Sequence, residues 1–192
     1  MQRAAPDPAF PGLPGAIQSI TTVTQNLGEL HAAGIDVSLA LRAPPTALGR
    51  FTLDFNCAYI SQWQQQLDGV NFVTAVGRSV VGPMPRWRHY LVLHWDSSVW
   101  GATLAQTFSS GYVDANLDAA GKERRVGDYE VWNLQGTYAG FANATMALGV
   151  KNLFDRDPPV SNQVALGQVM YDPRYADPRG RVFYARLTIA FR

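Results

Sequence analysis

Large apolar and small or polar residues alternate with period two along most of this chain. Ile35, Val37, Leu39 and Leu41 alternate with Asp36, Ser38, Ala40 and Arg42; Phe51, Leu53, Phe55, Cys57 and Tyr59 alternate with Thr52, Asp54, Asn56 and Ala58. The same rhythm recurs at Leu91–Leu93–Trp95, Trp100–Ala102–Leu104, Trp132–Leu134–Tyr138 and Met146–Leu148–Val150. It closes the chain at Phe183–Ala185–Leu187–Ile189–Phe191. A helix would mix the two sets around its circumference, whereas a strand gives each its own face. With a less regular run at residues 17–24, the pattern predicts eight strands and no helix.

One face of each strand is apolar and aromatic; the other carries Asp, Asn, Thr, Ser, Gly and Ala. A soluble sandwich would bury the apolar face against a second sheet. A membrane barrel would turn it to lipid. The connections favour the barrel. Short links at 43–49, 96–99 and 139–143 alternate with long ones at 67–86, 113–127 and 155–179, as short periplasmic turns alternate with long external loops. A short link at 26–30 departs from the rule. Trp63, Trp87, Trp95, Trp100 and Trp132 lie towards strand ends, where interfacial aromatic belts form.

Composition agrees. Charged residues are 16% of the 192, against roughly 25% in ordinary soluble domains. There is no run of about 20 apolar residues for a spanning helix. A net charge of +1 gives no electrostatic footprint for nucleic acid. One cysteine, Cys57, excludes an internal disulfide.

Motifs for catalysis are lacking. His31, His89 and His94 have no metal-ligand spacing, and His89 and His94 fall on opposite strand faces. There is no phosphate-binding glycine loop, no nucleophile elbow and no signature of a cofactor. Asp157, Asp172 and Asp177 precede prolines and read as turn formers. The best candidates for a ligand lie in and just after the last long link. Arg174, Arg179, Arg181 and Arg186 could fork onto planar anions, though Arg179 could simply pin Asp172 or Asp177; Tyr171, Tyr175 and Tyr184 offer apolar ring faces to a ligand or to the loop itself.

"GVKNLFDRDPP" followed by "YDPRYADPRGRVFYARLTIAF" resembles the C-terminal end of TonB-dependent outer-membrane receptors, and "NLGELHAAGIDVSLALR" and "PRWRHYLVLHWDSSVWGATLAQTFSSGYVD" resemble their hairpins. The resemblance covers the chain from about residue 15. It implies the C-terminal portion of an antiparallel barrel of about 22 transmembrane strands, with residues 1–15 as a Pro-rich lead-in and 16–192 as barrel. It implies uptake of siderophore-type metal chelates or other scarce nutrients across the outer membrane of a Gram-negative cell, without enzymatic activity. Expected partners are outer-membrane lipid, the TonB complex acting through an N-terminal part, the barrel-assembly machinery and the small ligand. Phe183, Leu187, Ile189 and Phe191 would form the barrel-closing strand, and Tyr171, Arg174, Tyr175 and Arg179 would border an external vestibule. The opening residues do not read as a signal peptide, and no plug or TonB box is evident, so a fragment of a longer receptor is expected. The alternatives are a free-standing eight-stranded barrel and a soluble sandwich.

Overall fold

The computed structural model describes residues 1–22, 28–66, 69–80, 82–163, 167 and 170–191. Among them every regular element is a strand. Seven long strands form one antiparallel meander: β1 (Leu30–Arg42), β2 (Arg50–Gln66), β3 (Trp87–Asp96), β4 (Trp100–Ser109), β5 (Tyr129–Tyr138), β6 (Ala144–Lys151) and β7 (Val182–Ile189). Each pairs with its neighbours in chain order, and the short strand Phe72–Thr74 extends the sheet beside the far end of β2. Among the described residues the outer edges of β1 and β7 have no strand partner, so the sheet is open.

Register shows why the alternation matters. Leu41, Leu53, Leu93, Leu104, Leu134, Val150 and Phe183 are successive cross-strand partners, forming one apolar row over all seven strands. One residue along each strand, on the other face, lies the row Arg42, Thr52, His94, Thr103, Gln135, Gly149 and Tyr184. A one-residue slip in any pair would drop a polar side chain into the apolar row, so the pattern fixes the register.

No second sheet covers the apolar face among the described residues. Leu148 is 53% exposed and Leu187 61%, whereas a sandwich would bury both. The buried residues lie on the opposite face, at Val92, Ala105 and Ala147, and in the loops. Ala75, Val76, Tyr112 and Val126, with the polar Asp114, Ser161, Gln163 and Asp172, are all buried in the long links at one end of the sheet. The links are asymmetric, as expected: 43–49, 97–99 and 139–143 are turns, while 67–86, 110–128 and 152–181 are long loops on the opposite end.

Two expectations need amendment. Of the run at 17–24, Ile17–Ser19 does not join the main sheet; it pairs with Gln2–Arg3 in a separate ribbon, and 23–27, which include the first two residues of the short link at 26–30, lie outside the described residues. The last strand ends at Ile189, because β6 begins at Ala144, the partner of Ile189, and offers no ladder to Phe191, which is 90% exposed.

Candidate functional site: a knotted loop cap over a polar wall

The site begins with the last long loop. Its first residues, Asn152-Leu-Phe-Asp155, form a tight turn. Asn152 sits at φ 52°, a region that asparagine tolerates better than most residues. Its side chain both donates to the Arg156 carbonyl (2.9 Å) and accepts from the Arg156 N–H (2.8 Å), while its own N–H donates to Asn133 Oδ1 on β5 (2.9 Å). Asp155 then accepts the N–H of Arg181 at 2.7 Å. The loop's first and last residues are therefore clasped. Gly180 lies beside that clasp at φ 64°, and a Cβ there would stand 3.0 Å from Asp155 Oδ1. The "NLFD" and "PRGR" segments of the sequence are two halves of one structure.

Between them the tract "DPRYADPRG" makes the same device twice. Asp172 accepts the N–H of Arg174 (3.0 Å), and Arg174 reaches back with Nε at 2.9 Å and Nη2 at 2.6 Å. Asp177 and Arg179 repeat the arrangement, with the backbone bond at 3.1 Å and Nε at 2.9 Å. Proline between each pair presets φ, and the aspartate closes the turn on the backbone two residues on. Burial raises the Asp172 carboxyl pKa, but the Arg174 bonds outweigh that and leave it lowered. Asp177, held by the Arg179 guanidinium, is lowered to about 2. Both arginines are thus engaged within the loop.

The other two long loops join this one. Asp114 accepts from Ala115 N–H and Ser161 Oγ (2.8 Å each) and from Asn162 N–H, so one buried carboxylate ties residues 110–128 to 152–181. Arg124 donates to Asn162 Oδ1 at 2.9 Å. Tyr175 Oη donates to the Pro83 carbonyl at 2.9 Å, and the Arg88 guanidinium lies 5.0 Å from the centre of the Tyr175 ring. The third loop therefore crosses from β7 to the loop before β3. Tyr112, inside the knot, has its phenol pKa pushed up to about 12, first by burial and then by the Asp172 charge, with Ser161 acting the other way.

A tyrosine with a raised pKa is neutral in the fold where the unfolded chain would ionise. Its contribution to stability is present below about pH 10 and lost as pH rises towards 12. Spectrophotometric titration should show one phenol with a midpoint near 12 that disappears in Tyr112→Phe. A midpoint near 10 for every tyrosine would show the knot to be open.

Under the crossing lies a cleft of about 600 Å³ on the polar face. Arg174, Tyr175 and Arg179 line it, with Tyr129, Asn133 and Lys151 from the wall below. Tyr171 is not part of it; its carbonyl accepts from Gln163 Nε2 at 2.9 Å. Among the described residues no cluster of potential metal ligands occurs. Sequence reasoning overlooked Lys151, whose place at the end of the β6 alternation was the available signal.

Trp87, Trp95, Trp100 and Trp132 fall on the apolar face, whereas Trp63, past a bulge and opposite Ala32, falls on the face of Asp36 and Ser38. Trp95 and Trp100 lie at the turn end: the Trp95 indole donates to the Leu48 carbonyl at 2.8 Å, and Trp100 packs on Tyr138 with ring centres 4.5 Å apart. Trp87 stands towards the loop end, bonding His89 Nδ1 at 2.8 Å. Trp132 bonds Glu130 on the same face. Trp87 and Trp95 are eight positions apart on β3, about 26 Å at roughly 3.3 Å per residue, close to the apolar band of about 25 Å in membrane barrels. Trp63 stands beyond this belt, on the end of β2 that projects to Gln66.

A model of the TonB dependent receptor-like β-barrel family matches residues 2–153. No curated protein matches the chain. A mutant ferric enterobactin receptor (PfeA) of Pseudomonas aeruginosa has a similar fold, with TM-score 0.56 at 20% identity over 83% of this chain and 22% of that one. A mutant of the same receptor in complex with enterobactin gives 0.54 at 20%, over 83% and 23%. The copper transporter OprC gives 0.52 at 17%, over 85% and 24%. The chain spans about a quarter or less of the length of these structures.

Proposed function

Because the chain belongs to the TonB-dependent receptor β-barrel family, we propose that it forms part of the wall and external mouth of an outer-membrane receptor for a scarce nutrient, of the siderophore-type metal-chelate kind. The supporting observation is the division of labour across one sheet. One face is a continuous apolar field bounded by tryptophans, the other is polar, and three long loops knit together at one end only. In this reading the apolar rows face hydrocarbon and the polar rows a watery lumen. Arg174, Tyr175 and Arg179 border the entrance, with Tyr171 behind them. The TonB complex supplies the energy and the segment performs no covalent chemistry.

The seven-stranded meander bears on the alternative of a free-standing small barrel. In an up-and-down sheet β1 and β7 point the same way, so the two free edges cannot meet as an antiparallel pair. Antiparallel closure needs at least one more crossing strand along Leu30–Arg42, as in a larger barrel.

Insertion is tested by refolding the full chain into lipid vesicles and adding trypsin outside. Cleavage confined to the loops, notably at Lys122, Arg124 and Arg125, with Arg88 and Arg186 spared, is expected. Equal cutting at the strand arginines would overturn the reading.

A further inference from the structure

The wall below the cleft carries a second arrangement. On the polar face of β5, β6 and β7 the charged side chains are Lys151 and Arg186, both exposed and both cationic; every carboxylate on these strands is off that face. Register sets Lys151 opposite Val182 and Arg186 opposite Ala147. The two are thus four positions apart along the wall, about 13 Å at roughly 3.3 Å per residue. Midway, Tyr184 stands opposite Gly149. A Cβ on Gly149 would fall 2.3 Å from Tyr184 Cζ, so the ring lies flat across bare backbone. Its hydroxyl donates to Gln135 Oε1 on β5 at 2.9 Å, which fixes the ring across β6. Lys151 Nζ lies 5.9 Å from the centre of that ring.

Among the described residues no ion pair engages Lys151 or Arg186, whereas Arg174 and Arg179 are held by their own aspartates. Lys151, whose ammonium stands over the edge of the Tyr184 platform and within the field of the Asp177 carboxylate, and the unpaired Arg186 thus supply the positive charge of this part of the wall, and the surface between them is aromatic. An aromatic ring prefers an offset stack on such a platform. Carboxylate, phenolate or sulfonate substituents at its rim would find an ammonium at one end and a guanidinium at the other, the latter able to fork onto a planar anion.

The geometry points to a binding site for a planar aromatic anion at Lys151, Tyr184 and Arg186, beneath the loop cap. This rests on the reading that the polar face lines a ligand path, and it assigns the charge selection to the wall rather than to the loop arginines.

The test uses the full chain refolded in detergent micelles, with pyranine, a trisulfonated pyrene, as the anionic probe and maltotriose as the neutral one. Pyranine should bind, seen by fluorescence anisotropy, and maltotriose should not compete. Lys151→Gln and Arg186→Gln should each weaken binding by about five-fold, an effect that shrinks in high salt. Tyr184→Leu should weaken it by about three- to ten-fold, while Tyr184→Phe, which keeps the ring and loses only its bond to Gln135, should retain more binding than Tyr184→Leu. Unchanged binding in all three weakening variants, competition by maltotriose, or absence of pyranine binding would each overturn the site. Trypsin protection in vesicles is read in parallel. Insertion without the site's effects removes the site and leaves the receptor reading standing; the site's effects without insertion do the reverse.

Discussion

Leu93→Arg should destabilise the membrane-inserted chain by about 1–3 kcal/mol, because Leu93 stands two positions from Trp95, between the midplane, where a lipid-facing arginine costs about 2–4 kcal/mol, and the interface, where it costs about 0–1. Leu93 lies in the middle of the apolar row, between Leu53 and Leu104, on the strand that carries Trp87 and Trp95 near its two ends. Its neighbour across the sheet plane supplies the control. Thr103 faces the other side, opposite His94, with its hydroxyl 3.0 Å from His94 Nδ1. Thr103→Arg places the same charge at nearly the same depth in water, and should cost less than about 1 kcal/mol. Urea unfolding of both variants from vesicles measures the difference. Equal costs would mean that the two faces see the same solvent, and the assignment of sides would be lost.

The second large effect lies in the cap. Asp114→Ala should loosen the docking of the second loop on the third by about 2–4 kcal/mol. The carboxylate satisfies three donors, from Ala115, Ser161 and Asn162, and Ser161 is 1% exposed. Each buried donor left without an acceptor costs roughly 1–3 kcal/mol. The change should be local. Limited proteolysis should become fast within 110–128 and 152–181 while β3, β4 and β5 stay protected. Loss of the strands' protection as well would show that the knot holds up the sheet.

The strands were legible because each carries its signal locally. In β3, β4 and β7 most alternate residues are large and apolar, with only His89, Ala102, Gln106 and Ala185 departing, so strand, face and register follow from one short stretch. The signal fades where both faces meet similar surroundings. The projecting ends of β1 and β2 read "LHAAG" and "SQWQQQ", without alternation, and their strand character comes from pairing with each other and with Phe72–Thr74. A bulge between Ala33 and Gly34 lies in the same region. The Asp-Pro-Arg turns were legible too, since each bond spans two residues. The knot was not: Asp114 meets Ser161 across 47 positions and Tyr175 meets Pro83 across 92, and no local pattern records such partners. Tyr184 was legible as a ring that a ligand could meet, but Lys151 was visible only as a member of a strand. Their relation appears when register lays the tyrosine ring over Gly149.

The bond from Asp155 to the backbone of Arg181 brings the two ends of a long excursion together at its root. The span between can then grow, shrink or be exchanged without disturbing the ladder between β6 and β7, and doubling its length would add only about 0.6 kcal/mol of closure entropy. A scaffold hinged in this way separates what must be kept, the insertion of its staves, from what is free to vary, the part that meets a new molecule first.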